Sequence, residues 1–487
     1  MASLPRLNRR FRSGLPSSEY PEKILQFGTG GFLRGFIGHF IEEANRVDHL
    51  QARVVAVATT PSGRDRVLNE QDGLYTLWVR GVQNGLTRND FQLISCFSRA
   101  LSAADDWQEV LRVARNPALE LIFSNTTEAG IAIDARDEWN GSPPTSYPAK
   151  LARVLWERAQ RFHYADKAGV VVLPCELVDD NGTRLKELVL ELAARWQLDA
   201  RFAKWIERSV PFCNTLVDRI VPGGAGAQEQ EQAWQQLGCR DELLTVAEPY
   251  RLFAIEATDE VAARLNFIDA DPAIIVTDDI TPYRLRKVRL LNGAHSITAP
   301  LALLAGCTTV ADALGDPRAG PFLRQVLLNE LVPSVSADGA AFFAHHVLER
   351  FANPFIRHQL IDITLQQTTK LRVRVIPSVV EYAQQFGSAP RLVCTGLAGW
   401  LLYMRGDSHQ QERRADVHAE RLQALWQRQH EPRALVAAVL ADEELWQTDL
   451  RRVPGLAEQV TESLELMLRS GVAAALDGEL AEAAGHA

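Results

Sequence analysis

A lysine, an asparagine and a histidine stand in the stretch KVRLLNGAHS, which runs from Lys287 to Ser296 and leads into the apolar segment ITAPLALLAG. On a helix turning about 100° per residue, Asn292 lies about 140° from Lys287, and His295 falls between them at about 80°. A desolvated lysine can supply or remove the proton in hydride transfer, and asparagine and histidine can hydrogen-bond the reacting oxygen. This chemistry needs no metal. The spacing fits such a site, but it also fits a partly buried helix with a few satisfied polar groups.

Basic residues recur in two later segments. One is ERFANP (Glu349–Pro354), which contains Arg350, and the other is KLRVRVIP (Lys370–Pro377). Lys370 and Arg374 are four residues apart and share one face if that segment is helical. These three cations could hold a substrate carboxylate, arginine doing so through two hydrogen bonds. The alternative is a solvated basic face.

A glycine-rich turn follows the first strand-like run and opens a helical pattern. Such a turn lets backbone N–H groups approach a pyrophosphate at the N-terminus of a helix. Leu33 replaces the third glycine of the GxGxxG pattern, so an ordinary glycine-rich loop remains the alternative. The residues predicted to bind a dinucleotide are Phe27, Gly28, Thr29, Gly30, Gly31, Phe32, Leu33 and Arg34.

The second strand does not end in the acidic residue that usually holds the adenosine ribose. It ends in Ala58-Thr59-Thr60-Pro61, and Arg64 and Asp65 follow a few residues later. Arg64 could face a 2′-phosphate, or it could be an exposed loop residue without a specific role. The preference for NAD over NADP is therefore left open.

Alternating strand and helix patterns in the first half predict an α/β fold with a Rossmann-type, doubly wound and mostly parallel sheet. The expected strands are Lys23–Phe27, Arg53–Ala58, Leu119–Ser124, Gly169–Leu173 and Ile274–Thr277. Helical spacing then dominates to the C-terminus. We therefore predict a dinucleotide-binding domain over residues 1–277 and a mainly α-helical substrate and catalytic domain over residues 278–487.

Composition limits the possible partners. The chain has 487 residues and a net charge of −9, which argues against a nucleic-acid partner but allows an anionic small molecule bound by local arginines. Six cysteines form no CxxC pair, so we expect reduced thiols and no zinc site. No apolar stretch reaches 18 residues. We expect a soluble cytoplasmic protein, either a monomer or a small homo-oligomer, without a membrane partner.

Taken together, these segments resemble the polyol-specific long-chain dehydrogenase/reductase family, which includes mannitol dehydrogenase. The motifs that carry the resemblance are GTGGFLRGF, QDGLYTL, NTLVDRIVP, KVRLLNGAH and ERFANP. The resemblance covers residues 20–470 or so and implies a Rossmann-type domain, a helical domain and a site in the cleft. It also implies that Lys287 is the acid/base and that Asn292 and His295 orient the substrate.

Within this family the chain is most similar to the altronate oxidoreductase branch. The segments FSNTTEAGI, SYPAKL and PCELVDDNG carry this similarity, and Asn125 in the first of them joins the implied cofactor site. The similarity implies NAD-linked interconversion of D-tagaturonate and D-altronate. Leu177 stands where mannitol dehydrogenases have an asparagine, which argues against a plain polyol. The alternatives are a fructuronate/mannonate or polyol dehydrogenase and, in another class, a non-catalytic dinucleotide-binding sensor.

Overall fold

The apolar runs of the first half form the strands of a central parallel sheet. The strands of the structure are β1 (Glu22–Phe27), β2 (Arg53–Ala58), β3 (Tyr75–Gln83), β4 (Leu86–Ile94), β5 (Phe97–Ser102), β6 (Leu121–Ser124), β7 (Val171–Pro174), β8 (Thr215–Asp218), β9 (Thr245–Ala247), β10 (Leu252–Glu256) and β11 (Ile274–Thr277). The central sheet has the order β5-β2-β1-β6-β7, and all its pairs are parallel. In β1, Ile24 packs into one hydrophobic cluster, and Leu25 and Phe27 pack into another. Burial of alternate residues in two clusters explains why these strands are continuously apolar.

Two smaller sheets differ from the prediction. Ile274–Thr277 is a strand, but β11 pairs with β10 in a separate three-stranded sheet that also contains β8, so its predicted place in the main sheet was wrong. The hairpin of β3 and β4 was missed. Its turn contains Asn84 and Gly85 with φ of 53° and 72°, the Asn-Gly pair that favours tight hairpins.

Helices flank the main sheet and form most of the chain after residue 280, which confirms the predicted fold class. They are α1 (Gly31–Gly35), α2 (Ile37–Arg46), α3 (Arg64–Glu70), α4 (Trp107–Ala114), α5 (Tyr147–Arg161), α6 (Asn181–Arg195), α7 (Ala200–Ser209), α8 (Ala227–Leu237), α9 (Asp259–Ala262), α10 (Thr281–Arg286), α11 (Gly293–Leu304), α12 (Val310–Gly315), α13 (Ala319–Gln325), α14 (Ala340–Phe351), α15 (Leu360–Ile363), α16 (Gln367–Arg374), α17 (Ile376–Phe386), α18 (Arg391–Arg405), α19 (Ala419–Arg428), α20 (Pro432–Leu440), α21 (Glu443–Trp446) and α22 (Leu456–Gly485). Two π-helical turns span Lys287–Asn292 and Val326–Leu331, and short 3₁₀ turns span Asp166–Ala168, Ile268–Ala270 and Leu450–Arg452. Helix α22 is broken at Gly471, where φ is 84°.

The structure is a computed structural model that describes residues 4–10, 15, 19–126, 130–406 and 414–485. The chain divides into two units. The first comprises residues up to 80 together with 87–280, and the second comprises 81–86 together with the chain from 281 onward. The tip of the β3–β4 hairpin thus belongs to the second unit, where the Gly85 N–H donates to Glu349 at 2.9 Å. Within the described ranges, no helix has the length and apolar character needed to cross a membrane.

A buried glutamate caps helix α18 of the second unit. Helix α18 begins after Pro390, which offers no side-chain cap. Glu330, on the second π-helical turn, accepts hydrogen bonds from the N–H groups of Leu392 and Val393 at 2.8 Å each. An acceptor at this end of a helix satisfies N–H groups that have no partner within the helix. Burial nevertheless raises the pKa of Glu330 to about 7.

We predict a pH-dependent stability contribution from Glu330. Because its pKa is higher in the folded than in the unfolded chain, the folded state binds the proton more tightly, and stability falls as the pH rises from about 4.5 to 7. The full loss is about 3.5 kcal/mol, since the pKa rises from 4.5 to about 7 and one pKa unit corresponds to about 1.4 kcal/mol. Glu330→Gln should therefore gain stability relative to wild type between pH 5 and 8, measured as unfolding midpoints. The exposed Glu462→Gln is the control, and a pH-independent difference for Glu330→Gln would refute the assignment.

Candidate active site

The predicted glycine turn lies at the point where the strand order of the main sheet reverses. Its Gly28 N–H donates to the Val57 carbonyl of β2 at 2.8 Å, and the Asn125 N–H, after β6, donates to the Phe27 carbonyl at 3.3 Å. Gly28 has a φ of +122°, and a Cβ there would stand 2.9 Å from Leu33 Cδ1. Glycine is therefore required. In α/β sheets of this kind, ligands bind at the carboxyl ends of the strands beside this reversal.

The other side of the turn is open. Gly30 precedes α1 with an extended backbone, φ −68° and ψ 163°. Among the described residues, no atom of a non-adjacent residue lies within 4 Å of where a Gly30 Cβ would stand. Gly31 lies close to the backbone of Gly223, since a Cβ on Gly31 would stand 3.4 Å from Gly223 Cα. The turn thus offers exposed backbone to a ligand, as a dinucleotide pyrophosphate requires.

Two residues predicted to bind the cofactor, Arg34 and Asn125, direct their side chains into the protein. The buried Arg34 guanidinium donates to the Thr29 carbonyl at 2.5 Å and to Thr245 Oγ1 at 3.1 Å. Asn125 Nδ2 donates to the Cys175 carbonyl at 2.6 Å. Both side chains therefore hold the turn and its neighbouring loop in place. Cofactor binding by the backbone atoms of these two residues stays a prediction. The Thr127–Ala129 part of the FSNTTEAGI motif lies outside the described residues.

The PCEL segment at the end of β7 is fixed by buried hydrogen bonds, but its leucine is exposed. The buried Glu176 accepts hydrogen bonds from Ser124 Oγ at 3.1 Å and from the Thr126 N–H at 2.9 Å. The fully buried Asn181 donates to the carbonyls of Pro174 at 3.2 Å and Glu176 at 3.0 Å. Leu177 is 62% exposed. Its apolar side chain cannot hydrogen-bond a reacting oxygen, as an asparagine would.

In the second unit, the residues of KVRLLNGAHS lie on a helix whose geometry differs from the prediction. Lys287–Asn292 is a π-helical turn between α10 and α11, not part of a regular α-helix. In a π-turn the backbone hydrogen bonds join residues five apart, so Lys287 and Asn292 lie closer to one face than the predicted 140° at about 100° per residue. Lys287 and Asn292 are partly buried, whereas His295 is buried. Inserted π-turns of this kind are frequent at functional sites.

His295 lies between two rings. It stacks on Phe351 with centroids 4.1 Å apart and meets His358 edge-on at 4.9 Å. Its Nε2 atom is buried and accepts or donates no hydrogen bond within the described part of the chain. Burial lowers the pKa of His295 well below its ordinary value, and His358, Arg350, Arg374 and Lys370 lower it further. The imidazole is therefore neutral at neutral pH, and Nε2 can hydrogen-bond a ligand.

The structure brings the three predicted carboxylate-binding cations together around His295. Arg350 is buried on α14, and α16 is helical as the Lys370/Arg374 spacing required. Lys370 Nζ donates to the Ile363 carbonyl at 2.8 Å, and Arg374 Nη1 donates to Ser296 Oγ at 3.3 Å. Burial lowers the pKa of both groups, with Arg374 also lowering that of Lys370.

No carboxylate neutralises Lys370 or Arg374 among the residues that the structure describes. Charges withdrawn from water are normally paired, so two half-buried cations on one helix favour a site for an anion. Across the same residues, no group of three or more His, Cys, Asp and Glu side chains could hold a metal ion. The site is thus a cationic one with a neutral imidazole at its centre.

Two features of this site were not predicted. Ser296 Oγ donates to the Asn292 carbonyl at 2.8 Å while accepting from Arg374, and it thus links the π-turn to α16. His358, which follows the ERFANP segment by four residues, lies against His295. Ser296 was visible within the quoted motif. His358 had no sequence signal of its own, because the position of its loop depends on tertiary contacts.

Comparisons with known proteins agree with both units. Residues 22–269 match the mannitol dehydrogenase Rossmann domain, and residues 279–468 match the mannitol dehydrogenase C-terminal domain. The chain belongs to the mannitol dehydrogenase family. As a member of this family it is an oxidoreductase that acts on CH–OH groups, a sugar-acid or polyol dehydrogenase.

Among curated relatives, the altronate oxidoreductase of Klebsiella pneumoniae (strain 342) is 40% identical over 476 residues, covering 96% of this chain and 98% of the relative. That of Escherichia coli O7:K1 is 39% identical over 477 residues, with the same two coverages. Among solved structures, Pseudomonas fluorescens mannitol 2-dehydrogenase, in a ternary complex with NAD and D-mannitol, superposes with a TM-score of 0.68 at 21% identity over 98% of this chain and 99% of that one. A substrate-free D-sorbitol dehydrogenase gives 0.80 at 21% identity over 97% and 100%. Both solved structures share the fold described above.

Proposed function

We propose that this protein interconverts D-tagaturonate and D-altronate with NAD(H). The observation that carries the proposal is the cationic site formed by Arg350, Lys370 and Arg374 around His295. A sugar acid presents one carboxylate to such a site, whereas a polyol presents none. Arginine and lysine bind carboxylates through charge-assisted hydrogen bonds, which are about twice as strong as neutral ones. The relatives named altronate oxidoreductase, at 39–40% identity, support the same substrate class.

In this proposal the π-turn carries the groups that act on the reacting oxygen. Lys287 donates a proton to the oxygen as the ketone becomes an alcohol, and it removes that proton in the reverse direction. The Asn292 amide and the unpaired His295 Nε2 hydrogen-bond the same oxygen. Because His295 is neutral, it orients the substrate and leaves proton transfer to Lys287. When bound, NADH supplies the hydride for the carbonyl carbon.

The cofactor in this proposal binds at the glycine turn of the main sheet. Gly28 and Gly31 let the turn pack closely against Leu33 and Gly223, and the space beside Gly30 admits the pyrophosphate. We assign cofactor binding to a domain of residues 1–277, and substrate binding and proton transfer to residues 278–487. No acidic residue stands at the end of β2, so NADP is tested beside NAD.

Gly30→Val tests the cofactor site without disturbing the fold. Because Gly30 has an ordinary extended backbone and open space beside it, valine should fold normally but block the pyrophosphate. We expect the unfolding midpoint to stay near wild type and the affinity for NADH to fall at least about tenfold, or about 1.4 kcal/mol, in a fluorescence titration. Gly226→Val is the matched control, since Gly226 also precedes a helix with φ −58° and ψ 151°. Unchanged NADH affinity in Gly30→Val would move the cofactor elsewhere.

The substrate assignment is tested by steady-state reduction of D-tagaturonate, D-fructuronate and D-fructose with NADH and with NADPH. We expect kcat/KM to be highest for tagaturonate with NADH, and both uronates to exceed fructose by at least about 100-fold, since two charge-assisted hydrogen bonds contribute about 3 kcal/mol or more. Fructuronate as the best substrate would keep the sugar-acid site but change the stereochemical assignment. Fructose reduced far better than either uronate would refute the proposal.

A further inference from the structure

His358 is a fixed residue of the cationic site, although no chemistry has yet been assigned to it. It lies in the loop between α14 and α15. Its backbone N–H donates to the Ile356 carbonyl at 2.9 Å, and its carbonyl accepts from the Val310 N–H at 3.0 Å. The adjacent Gln359 forms an isolated β-bridge with Thr309. The loop is therefore pinned to the start of α12, and the ring has a defined place.

Titratable groups on four helices lie around the His358 ring. It meets His295 of α11 edge-on at 4.9 Å. It interacts electrostatically with Arg350 of α14, Lys370 of α16 and Asp362 of α15. Asp362 is itself paired with Arg414 through a 3.0 Å hydrogen bond. Arg374 of α16 acts on the neighbouring His295, and cations therefore outnumber acids around the two rings.

The imidazole of His358 is available to a ligand. Its ring is partly buried, and neither ring nitrogen hydrogen-bonds another residue in the described ranges of the chain. Burial lowers the pKa of His358, and Arg350 and Lys370 lower it further against the opposing effect of Asp362. An anion bound beside these cations would cancel their field and favour the charged form of the ring.

We propose that His358 is a further substrate-binding residue: its imidazole hydrogen-bonds the carboxylate of the sugar acid beside Arg350 and Lys370, and it takes up a proton as that anion binds. This rests on the proposed function, because a neutral polyol would bring no such charge. The hydrogen bond then becomes charge-assisted and shorter. Binding coupled to proton uptake is tighter at low pH, so KM for the sugar acid should rise as the pH increases, while KM for a neutral ketose should not.

Two variants separate packing from hydrogen bonding. His358→Phe keeps a ring against His295 but has no hydrogen-bonding atom. We expect KM for D-tagaturonate to rise at least about tenfold, kcat to stay within about threefold, and fructose kinetics to stay unchanged. His358→Gln can hydrogen-bond but cannot take up a proton. We expect it to recover part of the affinity at pH 8.5 and to show a KM that no longer depends on pH between 6 and 9. His345→Phe, an exposed histidine on α14, is the control.

The outcomes separate the two proposals. If wild type prefers a uronate but His358→Phe keeps the same uronate-to-fructose ratio, the His358 assignment is wrong and the proposed function stands. If His358→Gln keeps the wild-type pH dependence of KM, the proton is taken up elsewhere, and the His358 proposal fails again. If wild type itself reduces no uronate, both proposals fail. Should His358→Phe unfold, the pH dependence in His358→Gln decides the matter alone.

Discussion

Replacement of Lys287 by alanine is expected to lower kcat for ketone reduction by about 100- to 10,000-fold, the usual effect of losing a positioned acid or base. NADH affinity should stay within about twofold, because the glycine turn belongs to the other unit of the chain. Arg289→Met is the matched control. Arg289 lies two residues further along the same π-turn and forms an ion pair with Glu381.

The Lys287→Ala result also separates an enzyme from a non-catalytic dinucleotide sensor. A sensor would bind NADH in wild type and variant alike and would turn over in neither. Rapid reduction in wild type with near-normal turnover in Lys287→Ala would remove this lysine from the mechanism. Loss of NADH binding together with turnover would instead indicate a folding defect, which the unfolding midpoint reports.

Replacement of Arg374 by methionine is expected to lower kcat/KM for D-tagaturonate by about 10- to 100-fold, since a hydrogen bond to a charged group contributes about 1.5–3 kcal/mol. Reduction of fructose should change far less. Arg374→Lys should restore part of the activity, because it keeps the charge but not the two-pronged geometry. The measurement is the ratio of kcat/KM values for tagaturonate and fructose in each variant.

A neighbouring arginine provides the control for this prediction. Arg372 lies on the same helix, but it donates to the Leu445 carbonyl at 3.3 Å. Arg372→Met should cost stability without altering the ratio of the two substrates. Equal losses for tagaturonate and fructose in Arg374→Met would indicate that Arg374 supports the π-turn through Ser296 and does not bind a carboxylate.

The local parts of the fold could be predicted from the sequence because each depends on near neighbours. Buried β-strands give continuous apolar runs, and four of the five predicted runs became β1, β2, β6 and β7 of the main sheet. The Asn84-Gly85 turn was equally visible and was overlooked. The partner of Ile274–Thr277 was not visible, because the choice between two sheets depends on distant segments.

For the site, the sequence could predict the types of residue but not how they come together. Lys370 and Arg374 share a short helix, as their spacing suggested. Their approach to His295 depends on Gly293, where a Cβ would stand 3.2 Å from the Arg374 carbonyl, and no periodicity reports that contact. The π-turn was likewise invisible, since a segment of six residues is too short for its periodicity to distinguish a π-turn from an α-helical turn. His358 enters the site only because its loop is pinned to α12.

The central claim is hydride transfer to the ketone of a uronate, and one labelled turnover tests it directly. The enzyme is incubated with D-tagaturonate and NADH that carries deuterium at both nicotinamide C4 positions, and the product is identified by NMR. We predict D-altronate with one deuterium on the former ketone carbon. An unlabelled product, or no product under conditions in which fructose is reduced, would contradict the assignment.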